Sequence, residues 1–261
     1  MGLSDAVAAV TRPVLTIPGR PRPWIMAHRG ASDLAPENSI AAFRRALQDG
    51  ADLIETDLWC LADGELACMH DPTLARTVGD PRHVTALDRR ALARLRLRPH
   101  SDGSAADERV PLLDELVALA PAHVPLVLEL KDPRLGEPRP LRRLLEILGD
   151  RARERRAAVI AFDLGLLLRI REQAPGLLTG HIASRSPWGN EHTDMLGPYW
   201  PHLLLNPCYV RTAHRRRQRV CPLDPGLHRR LRRYLALDVD AVLTNDPAAT
   251  RAEIERVRRE R

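Results

Sequence analysis

Residues 38–58 read NSIAAFRRALQDGADLIETDL, and this stretch holds the pattern that decides the fold. Asn38 is a residue type that favours the N-cap of a helix, and the apolar residues of segment 39–48 recur at the spacing of one helix face. Gly50 follows the end of that segment, as glycine commonly does after a helix. Segment 53–58 is short and mostly apolar, which predicts a buried strand. The stretch therefore predicts one helix followed by one strand.

The same alternation continues along the whole chain. Nine runs have the length and composition of strands, at residues 24–27, 53–58, 66–69, 125–130, 157–162, 177–182, 202–205, 220–223 and 241–244. Further stretches of helical period lie between them, at residues 86–95, 112–120, 141–155, 164–173 and 227–237. Repeated βα units predict an α/β fold with a parallel sheet, and about 250 residues is the usual size of a (β/α)8 TIM barrel.

A barrel of this kind has eight parallel strands, so one predicted strand is surplus. Asp63 and Gly64 favour a two-residue hairpin turn between the second and third runs. The third run would then be an antiparallel partner of the second strand, with Asp57 opposite His70. The prediction is a (β/α)8 TIM barrel with an antiparallel ribbon after the second strand.

The chain shows no linker of the kind that separates domains. We expect a single barrel domain over residues 24–261, preceded by an N-terminal arm over residues 1–23. No run approaches the ~18 consecutive apolar residues of a membrane span, and the arm lacks the apolar segment of a signal peptide. We therefore expect no transmembrane segment.

The charged residues are dominated by arginine. The 261 residues include 40 basic and 34 acidic side chains, for a formal net charge of +6, and Lys131 is the single lysine. A general preference for arginine explains this balance, so we expect no nucleic-acid partner. The four cysteines form no C-x-x-C pair and have no histidine at zinc-ligand spacing, which predicts free thiols and a cytoplasmic protein.

Ionisable side chains follow the predicted strands at their C-terminal ends, where barrel enzymes carry their catalytic groups. They are His28 and Arg29 after the first strand, Glu55 and Asp57 on the second, His70 and Asp71 after the ribbon, and Glu129 and Lys131 on the next strand. Three carboxylates in one barrel mouth repel one another, so a cation is expected among them. The all-oxygen set of Glu55, Asp57 and Glu129 suits one hard divalent cation, Mg²⁺ or Ca²⁺, better than zinc.

Each of these residues also has a purely structural interpretation. A single histidine at a strand end is often only hydrogen-bonded, and Lys131 could simply form an ion pair with Glu129. The combination favours a functional site, because all of these groups fall at strand ends while the strand interiors stay apolar. Arg29 and Lys131 would supply positive charge to an anionic group bound at this site.

The motifs also carry a family resemblance. They are HRG at 28–30, APENS at 35–39, GADLIETD at 50–57, DG at 63–64, HD at 70–71, RT at 76–77, PLLDE at 111–115 and LELK at 128–131. Their order and spacing resemble the glycerophosphodiester phosphodiesterase family, and the resemblance weakens beyond residue 131. It implies a metal-dependent hydrolase of lipid metabolism that cleaves a glycerophosphodiester into an alcohol and glycerol phosphate.

The resemblance also implies roles for the matching residues. It makes His28 and His70 the general acid and base, and it makes Glu55, Asp57 and Glu129 the metal ligands. In the family the attacking group is thought to be the glycerol 2-hydroxyl, which gives a cyclic phosphate that water then opens. The sequence leaves this route and direct attack by water both open.

The chain departs from the family pattern on the substrate side of the predicted mouth. CPLD at 221–224 stands where the family usually has Trp-Thr-Val-Asn, and Ala161 stands where a serine commonly precedes phenylalanine. Four aromatic residues cluster after the sixth strand, at Trp188, Tyr199, Trp200 and Tyr209. They either plug the barrel or form a lid that contacts lipid, and the second interpretation implies peripheral membrane contact.

Two other functions stay open. A lysophospholipase D or a sphingomyelinase-D-like enzyme would use the same histidines and carboxylates but would need an apolar groove for an acyl chain. A catalytically inactive barrel that binds phosphorylated ligands would explain the altered C-terminal third, although the intact His28 and His70 argue against it. The expected substrate is a small glycerophosphodiester or a lysophospholipid, and the sequence predicts no particular oligomeric state.

Overall fold

The computed structural model of the protein describes residues 15–101, 103, 107–183 and 189–260. The first fourteen residues of the predicted arm and Trp188 lie outside the described residues. Leu15 is buried among the side chains that fill the barrel interior, and its carbonyl oxygen accepts a hydrogen bond from Arg219 Nε at 2.9 Å.

Nine strands form one sheet. They are β1 (Trp24–His28), β2 (Leu53–Cys60), β3 (Leu66–Cys68), β4 (Leu126–Leu130), β5 (Ala157–Ala161), β6 (Leu178–Ala183), β7 (Met195–Pro198), β8 (Arg219–Val220) and β9 (Ala241–Thr244). Eight of them lie in the order β8-β7-β6-β5-β4-β2-β1-β9, and all neighbours in this order are parallel. The remaining strand, β3, pairs with β2 in antiparallel orientation.

The two ends of this order meet at Asp240, which directly precedes β9. Its backbone N–H donates to the Val220 carbonyl oxygen at 2.9 Å, and its Oδ2 accepts from the Val220 N–H at 2.9 Å. A carboxylate thus takes part in joining β8 to the start of β9. The sheet is a nearly closed parallel barrel, which confirms the predicted (β/α)8 TIM fold.

Helices connect the strands on the outside of the barrel. They are α1 (Ile40–Gln48), α2 (Arg89–Leu92), α3 (Leu113–Leu119), α4 (Pro138–Leu148), α5 (Asp150–Arg153), α6 (Leu164–Gln173), α7 (Trp200–Leu205), α8 (Tyr209–Arg215), α9 (Leu227–Leu237) and α10 (Pro247–Arg259). The predicted bounds of α6 and α9 are confirmed. None of the described helices combines the length and the apolar character required to cross a membrane.

Alternation along each strand divides the buried side chains into two layers. In β2, Ile54 and Leu58 pack outward against the helices, in a cluster that includes Phe43 of α1. Leu53 packs into the barrel interior. Because successive residues point to opposite faces, Glu55 and Asp57 share the inward face of Leu53. The interior of this strand therefore changes from apolar to acidic toward its C-terminal end.

The predicted seventh strand at residues 202–205 is wrong. That run lies in α7, where Leu203 is buried and Leu205 is 77% exposed, and the strand is Met195–Pro198 instead. Glycine and proline in the true strand conceal it, whereas a short leucine run has no periodicity that separates strand from helix. The connection from β7 to β8 contains both α7 and α8.

The register predicted for the ribbon is wrong by one residue. Leu58 lies opposite Cys68, and the Met69 N–H donates to the Asp57 carbonyl oxygen, so Asp57 does not face His70. The turn has three residues between Leu61 and Glu65 instead of two, with Gly64 at φ +91°. Three-residue hairpin loops require such a left-handed residue, which the Asp-Gly pair supplies equally well.

Candidate active site

Three carboxylates converge at the C-terminal end of the barrel. Glu55, Asp57 and Glu129, called the acidic trio below, each offer an oxygen within 4.8 Å of the others. Strand pairing brings them together, because Asp57 is the partner of Glu129 and Glu55 is the partner of His28. Their residues are only 2%, 0% and 8% exposed. The structure thus brings together all three residues that the sequence predicts as metal ligands.

Burial and neighbouring charges set the protonation of the acidic trio. Burial, together with the charges of Asp57 and Glu129, raises the pKa of Glu55 well above its ordinary value. Burial acts in the same direction on Asp57, but the Lys131 and Arg29 cations outweigh it and hold the pKa of Asp57 below its ordinary value. Burial raises the pKa of Glu129 against the opposing effect of Lys131. Glu55 and Glu129 therefore retain protons to higher pH than separate carboxyl groups would, whereas Asp57 does not.

Lys131 lies against two members of the trio. Its Nζ is 3.2 Å from Asp57 Oδ1 and donates a hydrogen bond to Glu129 Oε1. Burial lowers the pKa of Lys131, but the charges of Asp57 and Glu129 more than reverse this and raise the pKa above its ordinary value. The side chain is therefore an ammonium at neutral pH, and the expected ion pair with Glu129 exists within the candidate site.

Arg29 also borders the trio, next to the other oxygen of Asp57, and has an unusual backbone conformation. Its φ of 58° lies in the left-handed region, which costs a non-glycine residue about 1–2 kcal/mol. The Arg29 N–H donates to Glu55 Oε2 at 2.9 Å, and the Arg29 Nε lies 3.2 Å from Asp57 Oδ2. Strain of this kind is commonly found at functional sites, where it fixes a group in position.

Asn38 was predicted to cap α1, and that prediction is wrong. The cap is Ser39, whose Oγ accepts from the Ala42 N–H at 3.0 Å. Asn38 is instead buried at φ 54°, and its Nδ2 donates to Asp57 Oδ2 at 2.9 Å. Its Oδ1 accepts from Thr56 Oγ1 at 2.7 Å. Asn38 therefore fixes the Asp57 carboxylate, a role that only its place in the APENS motif could have indicated.

His28 ends β1 beside Glu55 and is oriented by an amide. His28 Nδ1 lies 2.8 Å from Asn245 Oδ1, and Asn245 Nδ2 donates to Asp33 Oδ1 at 3.2 Å. Since the Asp33 carboxylate can only accept, the amide oxygen faces His28, and His28 Nδ1 must carry the proton. The neutral ring then has its lone pair on Nε2. Burial and then the charge of Arg29 lower the pKa of His28, which favours this neutral form.

His70 follows β3 and is oriented by a carboxylate. Its Nδ1 donates to Asp71 Oδ1 at 2.7 Å, and Arg76 Nε donates to Asp71 Oδ2 at 2.6 Å. Chiefly through its hydrogen bond from Arg76, the pKa of Asp71 is lowered to about 2. Asp71 therefore remains a carboxylate, and the proton of His70 Nδ1 is held in place. His70 is near enough to Asp57 and Glu129 for its charge to influence both.

An apolar cavity opens beside the acidic trio. His28, Glu55 and Glu129 form its polar wall. The remaining lining is mostly apolar and includes Ile160, Phe162, Ile182, Leu196, Cys221, Pro222, Leu223 and Leu243. Three residues of the altered 221–224 segment therefore do form a wall of the mouth. Ala161 does not, because it packs outward between the sheet and the helices.

The aromatic cluster after β6 is mostly internal where it is described. Tyr209 is 3% exposed, and Trp200 packs against the core with the Arg230 guanidinium 3.7 Å from its ring centroid. Tyr199 is partly exposed at a recess that also includes His28. Trp188 lies outside the described residues. The described contacts thus favour packing for Trp200 and Tyr209, and Tyr199 is the described member of this cluster that a ligand could contact.

The residues present fit a hard divalent cation. The trio supplies only carboxylate oxygens, the ligand type that Mg²⁺ and Ca²⁺ prefer. Asp57 Oδ1 is buried and accepts no hydrogen bond of good geometry from the described residues. An acidic cluster whose members raise one another's pKa gains most from a bound positive charge.

Comparisons with known proteins identify the family of this chain. A glycerophosphodiester phosphodiesterase of Caldanaerobacter subterraneus is 28% identical over 230 residues, covering 85% of this chain and 94% of that protein. A phosphodiesterase of Oleispira antarctica, solved in complex with the product sn-glycerol-3-phosphate, has the same fold at a TM-score of 0.74 and 22% identity. That alignment covers 89% of this chain and 97% of the other.

A second solved structure shares the fold. The glycerophosphodiester phosphodiesterase of Agrobacterium tumefaciens aligns at a TM-score of 0.72 and 23% identity, covering 90% of this chain and 99% of that one. The family model described as "Glycerophosphoryl diester phosphodiesterase family" matches residues 28–249, which include every candidate site residue. The chain therefore belongs to the glycerophosphoryl diester phosphodiesterase family and is a phosphoric diester hydrolase.

Proposed function

We propose that the protein hydrolyses glycerophosphodiesters to an alcohol and glycerol phosphate, in a reaction that depends on one divalent cation and on the histidine pair His28 and His70. The observation that carries this proposal is the convergence of the buried acidic trio within 4.8 Å, next to His28. The family membership of the chain and the product-bound Oleispira antarctica relative support the substrate class.

The acidic trio would hold the cation, which is Mg²⁺ or Ca²⁺ in this proposal. When bound, such an ion supplies positive charge that stabilises the phosphate as its negative charge grows. Arg29 and Lys131 add fixed positive charge on two sides of the trio. We assign them to the substrate phosphate, because each borders Asp57 and each can donate charge-assisted hydrogen bonds to phosphate oxygens.

His28 is suited to act as the general base. Its Nδ1 proton is committed to Asn245, its Nε2 lone pair is free of hydrogen bonds from the described residues, and its lowered pKa keeps the ring neutral. It would remove the proton of the attacking hydroxyl. His70, held at Nδ1 by Asp71, would deliver a proton from its own Nε2 to the leaving alcohol oxygen. The P–O bond to the leaving alcohol breaks as the P–O bond to the attacking oxygen forms. If water attacks, glycerol phosphate is released directly and the two rings exchange protons with solvent. If the glycerol 2-hydroxyl attacks, water then opens the cyclic phosphate, with His70 taking the proton of water and His28 returning its proton to the 2-oxygen.

The apolar cavity favours a second candidate substrate. Its lining from β5 to β9 offers few polar partners to a hydroxyl-rich group, whereas a lysophospholipid would place apolar carbon there. Lysophospholipase D activity is therefore the alternative within the same reaction class.

The buried free thiols of Cys60, Cys68 and Cys221 support a cytoplasmic location, where thiols stay reduced.

A product analysis tests the proposed function. The purified protein is incubated with glycerophosphocholine, glycerophosphoethanolamine, glycerophosphoglycerol and lysophosphatidylcholine, each with Mg²⁺, with Ca²⁺ or with EDTA. We expect glycerol phosphate and free alcohol with metal, and loss of product with EDTA. Glu129→Gln should lose activity on the order of 10²-fold. Arg82→Ala should match the wild type, because Arg82 pairs only with Asp80 among the described residues. Product formation that EDTA and Glu129→Gln both leave unchanged would contradict the proposal.

A further inference from the structure

One arginine outside the candidate catalytic set connects its two sides. Arg76 Nη1 and Nη2 donate to the two carboxylate oxygens of Glu37 at 2.7 and 2.6 Å, and Arg76 Nε donates to Asp71 Oδ2 at 2.6 Å. Glu37 belongs to the loop after β1, and Asp71 belongs to the loop after β3. A single guanidinium therefore joins two loops that are 34 residues apart in sequence.

Each carboxylate that Arg76 binds also holds a residue of the candidate site. Asp71 Oδ1 accepts from His70 Nδ1 at 2.7 Å, and Glu37 Oε1 accepts from Arg29 Nη1 at 3.1 Å. We propose that Arg76 is a positioning residue, which orients His70 through Asp71 and Arg29 through Glu37 for the reaction of the proposed function. The inference rests on that function, because it takes His70 and Arg29 as the groups that act on substrate.

The geometry requires an arginine and not merely a positive charge. Three donors of one planar group reach three different carboxylate oxygens, which the point-like ammonium of lysine cannot do. The Arg76 side chain is 49% exposed, so its ion pairs contribute little to the free energy of unfolding. Its effect should therefore appear in catalysis far more than in stability.

The two ion pairs of Arg76, with Asp71 and with Glu37, should affect different kinetic constants. Loss of the Asp71 ion pair leaves the His70 ring free to rotate and mainly lowers kcat. Loss of the Glu37 ion pair leaves the Arg29 guanidinium held, among the described residues, by Asp57 alone. Because Arg29 would contact the phosphate in the bound substrate as well as in the transition state, its looser position mainly raises KM. Asp71→Asn and Glu37→Gln should show these separate effects, and Arg76→Ala should show both.

Steady-state kinetics of these variants tests the inference, with the wild type and Arg82→Ala as controls. We expect Arg76→Ala to lower kcat/KM about 10- to 100-fold. Arg76→Lys should recover less than half of that loss, measured on the scale of log kcat/KM. Added methylguanidinium should restore activity to Arg76→Ala. The thermal midpoints of Arg76→Ala and Arg82→Ala should both stay near that of the wild type. In the double variant of Arg76→Ala with Asp71→Asn, the fold-loss of kcat/KM should be smaller than the product of the two single fold-losses.

The outcomes separate this inference from the function on which it rests. A wild type without activity toward any phosphodiester overturns both. An active wild type with an Arg76→Ala variant within twofold of it overturns only the role of Arg76. If Arg76→Ala loses much of its kcat/KM, has a lowered thermal midpoint and is not rescued by methylguanidinium, the role of Arg76 is structural. That result also overturns the inference.

Discussion

Asp57 and Glu129 are direct partners in the pairing of β2 with β4, yet the pKa values of their carboxyl groups shift in opposite directions. Asp57 is held by Asn38 and lies beside both Arg29 and Lys131, whereas the main opposition to burial at Glu129 comes from Lys131. The Asp57 carboxylate therefore persists to lower pH than an ordinary aspartate. Glu129 and, more strongly, Glu55 hold protons to higher pH.

Metal binding should release protons. A cation requires the carboxylate form of its ligands, and the raised pKa values of Glu55 and Glu129 leave protons to be displaced. We expect the affinity for Mg²⁺ or Ca²⁺ to rise as pH rises. Calorimetric titration in two buffers of different ionisation enthalpy measures the proton count. Heats that do not depend on the buffer from pH 5 to 7 would contradict the assigned ligands.

Glu55→Gln should abolish activity while sparing the metal-free fold. Because the pKa of Glu55 is higher in the folded than in the unfolded protein, its stabilising contribution is complete at pH values below the unfolded pKa, near ~4.3. It is lost as pH rises through the folded pKa. With EDTA present, wild-type stability should fall over this range, and Glu55→Gln should fall less. Thermal unfolding between pH 4 and 8 checks this, and parallel curves would refute it.

Asn245→Asp should move the acid limb of the pH–rate profile to higher pH. Burial and the charge of Arg29 lower the pKa of His28 and keep the ring neutral, as a base requires, while the hydrogen bond to the Asn245 amide oxygen only partly opposes them. A carboxylate at position 245 would stabilise the charged ring and raise the pKa of His28, so more base would be protonated at pH 6. The profile of kcat/KM between pH 5 and 9 measures the shift. Asn245→Ala is the matched control, and it should lose activity without an upward shift.

Gly30→Ala should destabilise the protein and disturb Arg29. At φ +82°, an added Cβ would lie 2.6 Å from the backbone carbon of Ala42 in α1. We expect the free energy of unfolding to fall by about 2–4 kcal/mol, from overpacking and backbone strain together. Gly64→Ala has a similar φ of +91° but no atom within 4 Å, so it should lose only about 1–2 kcal/mol. Urea denaturation compares the two, and equal losses would contradict the steric argument.

The acidic trio could be predicted from sequence because strand ends are simple to locate. Glu55, Asp57 and Glu129 each follow an apolar run, and parallel strands of a barrel end at one edge. That reasoning needs only the positions of strands and not their contacts. It tolerates the one-residue error in the ribbon register, since β3 supplies no member of the trio.

The supporting residues could not be predicted in the same way. Asn38 has the composition of a helix cap, and only the folded loop shows that its amide instead turns to Asp57. Arg76 lies in a stretch without strand or helix and donates hydrogen bonds to carboxylates from two distant loops. The sequence did not predict β7 for a related reason. Its pairing with β6 in the folded barrel overrides the low strand propensities of Gly197 and Pro198.

Anomalous diffraction from crystals soaked in Mn²⁺ tests the metal site most directly, since Mn²⁺ shares the oxygen preference of Mg²⁺ and scatters anomalously. One strong peak should appear between the carboxylates of Glu55, Asp57 and Glu129, within about 2–2.6 Å of an oxygen from each, and it should vanish in Glu55→Gln. A peak elsewhere in the molecule, with none among these three carboxylates, would contradict the central claim.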